Sequence, residues 1–123
     1  MRVLGSVAVV SVSGLRPGAV VSGLPVHYVG RGCGAWAASA LGNPFRVGQH
    51  GARQQVIQRY RAWLWDVVQA GLAGQSSPAW AELQVLVVQV QFGGSLALGC
   101  WCHPLPCHAA VVRAAVLWLA GQS

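Results

Sequence analysis

Cys100, Cys102, Cys107, His103 and His108 all fall within one short stretch, Leu96 to Val112, which reads LALGCWCHPLPCHAAVV. It holds three of the chain's four cysteines and two of its four histidines. Thiols and imidazoles are the side chains that serve as nucleophiles, proton carriers and metal ligands near neutral pH, so three chemistries are open here. Cys107 beside His108 has the makings of a nucleophile with its base, His103 being a second candidate for the base. Cys100, Cys102, Cys107 and His108, with His103, Cys33 or His27 in reserve, form a candidate zinc set. However, C-x-C-x4-C-H is not a familiar knuckle spacing, and adjacent ligands close poorly into a tetrahedron. The third chemistry is anion binding at a helix start. Against all three stands the ordinary fate of a free cysteine, which for Cys100 is to be a small buried hydrophobe.

Each of these chemistries needs elements that hold the residues in place. Leu96 to Cys102 is short, apolar and preceded by Gly93-Gly94, which predicts a buried strand. On a strand Cys100 and Cys102 share one face and Trp101 points to the other. Pro104 and Pro106 forbid regular pairing and force a tight loop. The run AAVVRAAVLWLA that follows Cys107-His108 is long and alanine-rich enough for a helix. Cys107 and His108 therefore sit where unpaired N–H groups and the positive end of the helix dipole stabilise anions and thiolates.

The first strand is predicted over Val7 to Val12, a β-branched run. Ser13 to Pro25 is rich in glycine, serine and proline and reads as a connection. A second strand, Val26 to Gly30, leads into Gly30-Arg31-Gly32-Cys33-Gly34, whose glycines permit backbone geometries closed to other residues and whose arginine carries a fixed positive charge. Asn43-Pro44 marks a turn, with Phe45 placed to plug the core. The clearest helix has Val56, Ile57, Tyr60, Trp63, Leu64, Val67 and Val68 on one face. Trp65 falls on the polar side with Gln58 and Arg61, as a surface for a partner or for a homodimer. Gly71 and Gly74 end this helix, and Ser77-Pro78 has the form of an N-cap and first helical position. Ala79 to Phe92 has both a helical stripe and strand-forming valines. Its length favours a helix that frays toward Gln89.

That order predicts a single α/β domain over residues 1–123: a small three-layer or two-layer sandwich with a short, largely parallel sheet and about three helices. Ligands of such sheets bind beyond the carboxyl ends of the strands, where both the Gly30–Gly34 and Cys102–His108 loops emerge.

Composition narrows the function. The chain has 123 residues, no lysine and a formal net charge of +6, with Asp66 and Glu82 as its two acids. The charge favours phosphates, in nucleotides, nucleic acid or a membrane surface. Asp66 and Glu82 lie in patterns typical of solvated helix faces, which excludes hydrolysis by paired carboxylates. The amino terminus has Arg2 ahead of an apolar run, as signal peptides do, but Gly5, Ser6, Ser11, Ser13 and Gly14 break the run, and it reads as a strand. The apolar runs fall short of the roughly 20 residues that span a membrane, which predicts a cytoplasmic protein with reduced thiols and no membrane partner.

Tyr28-Val29-Gly30-Arg31-Gly32, Gly42-Asn43-Pro44-Phe45, a helix with Tyr60-Arg61, Leu98-Gly99-Cys100-Trp101-Cys102 and Pro104-x-x-Cys107-His108 follow one another in a pattern that resembles the family called domain of unknown function 4326. The resemblance runs from about Val7 to Leu119. It implies a small protein of bacteria or their phages and a shared pocket, but no settled activity. In that family the Cys-His pair is usually followed by a small residue and an aspartate, where this chain has Ala109 and Ala110. The stretch Arg31 to Leu41 is also longer than the resemblance implies.

Together these features give an expected ligand and site. A phosphate-bearing ligand, a nucleotide or one derived from nucleic acid, is expected between the two loops, held by Gly30, Arg31, Gly32, Asn43, Cys102 and His108. A thiol- and histidine-dependent enzyme using Cys107 and His108 on a nucleotide-like substrate is the alternative, and a zinc-binding structural module is the third reading. Reading of duplex DNA is disfavoured, since no helix carries a basic stripe with base-reading polar residues.

Overall fold

A computed structural model describes residues 3–101, 105 and 107–121. The elements are β1 (Val7–Ser11), β2 (Val20–Val21), β3 (Leu24–Tyr28), α1 (Arg53–Leu72), α2 (Pro78–Gln91), β4 (Leu96–Cys100) and α3 (His108–Ala120). The strands form one sheet in the order β1-β4-β3-β2. β4 lies between β1 and β3 and is parallel to both, while β2 is the antiparallel partner of β3. The fold is thus a small α/β fold with three helices and a largely parallel sheet.

β4 is apolar throughout because it is paired on both edges and covered on both faces, so all five of its residues are buried. Leu96, Leu98 and Cys100 alternate onto one face, where they join Tyr60, Leu64 and Val68 of α1, Leu83, Leu86 and Val90 of α2, and Val112 and Val116 of α3 in one core. The opposite face is closed by a smaller cluster of Val12, Tyr28 and Trp36, with Leu15 and Val26 packed on it. Gly99 points that way. A Cβ there would lie 2.5 Å from Val12 Cγ1 and 2.9 Å from Val26 Cγ1. Gly99→Ala should therefore destabilise the fold by about 2 kcal/mol through overpacking, read as a lower urea midpoint.

Some boundaries differ from the sequence expectation. Ser13 to Pro25 is not all connection: Val21 pairs with Leu24 across Ser22 (φ 51°) and Gly23 (φ 78°). Positive φ at both central residues of a two-residue loop is the hairpin geometry that matches strand twist. The second parallel strand accordingly begins at Leu24. β4 stops at Cys100, so Trp101 lies outside it, and Cys102 lies outside the described residues. α2 continues to Gln91, with Ser77 Oγ accepting from the Trp80 N–H at 3.1 Å as its cap. Its strand-like look comes from Val85 and Val88, which are exposed, while Leu83, Leu86, Val87 and Val90 carry the buried stripe. Trp65 is 48% exposed and meets Trp118 of α3, itself 45% exposed, edge to face at 5.7 Å. Among the described residues no helix is long and apolar enough to cross a membrane.

Candidate functional site

β3 and β4 end side by side, and a cavity of about 310 Å3 opens beyond their carboxyl ends. Its wall is built from the loop after β3 (Gly30 to Cys33), the turn at Asn43 and Phe45, the first turns of α1, Cys100-Trp101 after β4, and Cys107-His108 at the start of α3.

The loop after β3 is fixed by the tyrosine that precedes it. The Tyr28 hydroxyl donates to the Arg31 carbonyl and accepts from Trp101 Nε1 at 3.1 Å. A Cβ on Gly30 would lie 2.4 Å from that hydroxyl oxygen. Glycine is therefore required there for close approach, since the positive φ of this loop belongs to Gly34. Arg31 Nη1 donates to the Asn43 carbonyl at 3.1 Å, tying the two motifs together. Asn43 Oδ1 in turn accepts from the Phe45 N–H at 2.9 Å, an Asx turn that sets the direction of Phe45.

His108 is buried as the first residue of α3. Its Nε2 lies 2.6 Å from the Val29 carbonyl. A carbonyl only accepts, so Nε2 carries the hydrogen and the neutral ring presents a lone pair at Nδ1. Cys107 Sγ stands 3.5 Å from that Nδ1. The Tyr60 ring meets the imidazole nearly edge-on at 5.0 Å, and its hydroxyl donates to the Leu41 carbonyl at 2.7 Å. Burial first, then the charge of Glu82, push the Tyr60 hydroxyl far above its ordinary pKa, so it acts as a donor.

Of the residues expected from sequence, Gly30, Arg31, Gly32, Asn43, Cys100, Cys107 and His108 all line this cavity, and so does Cys33. Cys102 and His103 lie outside the described residues. His27 is elsewhere, donating from Nε2 to Glu82 Oε2 at 2.9 Å. Among the described residues, no group of three or more histidine, cysteine or acidic side chains is arranged to hold a metal ion.

Glu82 corrects the sequence expectation. It is half-buried and held by the protein: its carboxylate accepts from His27, from the Ser39 hydroxyl and from the Ala40 N–H at 3.0 Å. Burial alone would raise its pKa, but these hydrogen bonds outweigh burial and leave it lowered. A lone glutamate between Ala81 and Leu83 gives no periodic sign of such partners, which come from 42 to 55 residues away. Arg53 and Trp101 were also not singled out as site residues. Arg53 opens α1 and Trp101 follows β4, and both face the cavity. Among the described residues the lining thus has two guanidinium groups and no carboxylate, with Phe45, Val47, Val56, Ile57 and Trp101 as its apolar wall.

No curated protein and no solved structure matches this chain. The family described as Domain of unknown function (DUF4326) matches residues 20–118, which include the cavity-lining residues from Tyr28 to His108. The match spans well over half of the chain, which therefore belongs to the domain of unknown function 4326 family.

Proposed function

We propose that this protein binds a phosphate-bearing small molecule, a nucleotide or a nucleic-acid fragment of similar size, in the cavity beyond β3 and β4. The observation that carries this reading is the charge of the lining: among the described residues Arg31 and Arg53 stand there with no carboxylate, where α1 and α3 begin. Helix starts and arginines both favour an anion, and their effects add. The apolar wall of Phe45, Val47, Ile57 and Trp101 suits a flat ring rather than a bare phosphate ion. A volume of about 310 Å3 is at the small end of ligand cavities, fitting one nucleotide rather than a polymer. On this reading the protein works in the cytoplasm, where nucleotides are abundant and its thiols stay reduced.

The test is thermal melting with a panel of nucleoside mono-, di- and triphosphates, the parent nucleosides and inorganic phosphate. A nucleotide at about 100 times its Kd should add about 2.7 kcal/mol, a rise on the order of 10 °C. Arg31→Ala should abolish that rise and move the ligand-free melting temperature by only about 2 °C, since Arg31 is exposed and makes a single hydrogen bond to Asn43. Absence of a rise with every phosphate-bearing compound would refute the reading.

A further inference from the structure

We infer that Cys107 and His108 are a nucleophile and its base, so that the cavity carries out a covalent step on the ligand it holds. The substrate class follows from the proposed binding function on which this inference rests: an organic phosphate with an electrophilic carbon attached to a leaving group.

The geometry gives Cys107, a thiol only 5% exposed, a base and a group that orients that base at the edge of the cavity. The Val29 carbonyl, 2.6 Å from Nε2, fixes the ring orientation and the tautomer, so the basic nitrogen is Nδ1. Cys107 Sγ lies 3.5 Å from that nitrogen, within the range of a sulfur hydrogen bond, and the thiol donates to it. Once the proton has moved, the imidazolium is stabilised by the Val29 carbonyl oxygen and the thiolate by the dipole of α3, whose N-cap is Cys107, although the sulfur takes no cap hydrogen bond there. The arrangement has the nucleophile, base and orienting group of a triad, with a backbone carbonyl in third place. Val29 and Tyr60 are positioning residues here: they hold the ring and touch no substrate.

The rest of the lining, among the described residues, leaves the proton to His108. Among the described residues no carboxylate faces the cavity, and the Tyr28 hydroxyl is committed to the Arg31 carbonyl and, through burial first, has a raised pKa. The missing acids, which exclude a carboxylate mechanism, thus place no obstacle before a thiol one.

The step balances without an oxidant or reductant. The Cys107 thiol passes its proton to His108 Nδ1 as Sγ bonds to the electrophilic carbon. The bond from that carbon to the leaving group breaks, the electron pair departs with the leaving group, and the imidazolium protonates it. Water, deprotonated by the same Nδ1, then displaces sulfur from the carbon, and the thiol recovers that proton.

Iodoacetamide tests the pair directly, because sulfur displaces iodide from its carbon and each cysteine can be followed separately by peptide mass spectrometry. Cys33, exposed on the loop that lines the same cavity, is the internal reference for an accessible thiol. At about pH 6, Cys107 should react at least roughly tenfold faster than Cys33 despite its burial, because His108 takes its proton. His108→Gln keeps a donor for the Val29 carbonyl and removes the base, and should abolish that advantage. If Cys107 reacts more slowly than Cys33 at every pH between about 5 and 9, it is a packed thiol and the inference is overturned. The wild-type comparison decides this even if the variant fails to fold. A nucleotide that slows labelling of Cys107 supports both the pair and its ligand. Fast labelling that no nucleotide slows would leave the pair standing and remove the phosphate-bearing ligand.

Discussion

Replacing Tyr60 by alanine is expected to remove about 4 kcal/mol of folding stability, a large part of what a domain of this size possesses. Tyr60 is the largest side chain buried completely in the core, at 0% exposure. Its ring packs between Trp63, at 5.4 Å, and His108, and its hydroxyl satisfies the Leu41 carbonyl. Alanine would open a cavity against three elements and leave that carbonyl unpaired. Tyr60→Phe separates the two contributions: it keeps the ring and loses only the hydrogen bond, for about 1.5 kcal/mol. Urea unfolding followed by circular dichroism would measure both. A loss under about 1 kcal/mol for the alanine variant would show that Tyr60 does not hold the Leu41 turn against the start of α3. Because His108 leans on the same ring, Tyr60→Ala should also erase the fast alkylation of Cys107, while Tyr60→Phe should preserve it.

Glu82→Ala should cost about 3 kcal/mol, discounted from three charge-assisted hydrogen bonds because the side chain is 21% exposed. The carboxylate joins β3, through His27, and the Ser39-Ala40 segment to α2. Its lowered pKa gives this bond a pH signature. Stability from Glu82 is fully present above the ordinary carboxyl value of 4.5 and is lost as pH falls through the lower folded value. Glu82→Gln removes the titration, so wild type and variant should differ most near neutrality and converge in acid. Melting temperatures of both proteins across that range would measure the convergence. Parallel curves with a constant gap would mean that Glu82 has the same pKa folded and unfolded.

Most of this arrangement could be read from local patterns. Gly-Arg-Gly follows β3, Asn-Pro-Phe precedes α1 and Cys-His opens α3, and the strand-end rule of parallel sheets brings them together. The apolar alternation of β4 and the stripe of α1 were legible for the same reason. Non-local bonds were not. Nothing near Glu82 in the sequence announces His27 or Ser39, and nothing near Tyr28 announces that its hydroxyl would bond both Arg31 and Trp101. The β2 hairpin was missed because two strand residues are too few for a period, although Ser22-Gly23 was a visible turn signal. The tautomer of His108 was out of reach of sequence altogether, since the Val29 carbonyl that sets it lies 79 residues away.

The position of β4 in the sheet also orders events in time. β1 and β3 pair with β4 and not with each other, and β4 is the last strand to be synthesised. A nascent chain that ends before Leu96 therefore has β1 unpaired, β3 paired only with the short β2, and α1 and α2 without the central strand they cover. β1 must wait for its partner while the roughly 85 residues from Val12 to Leu96 emerge, some 4 to 17 s at ordinary translation rates. Collapse into the native topology is then a late event with long loops to close, which makes the half-made chain, rather than the finished protein, the species most exposed to chaperones and proteases.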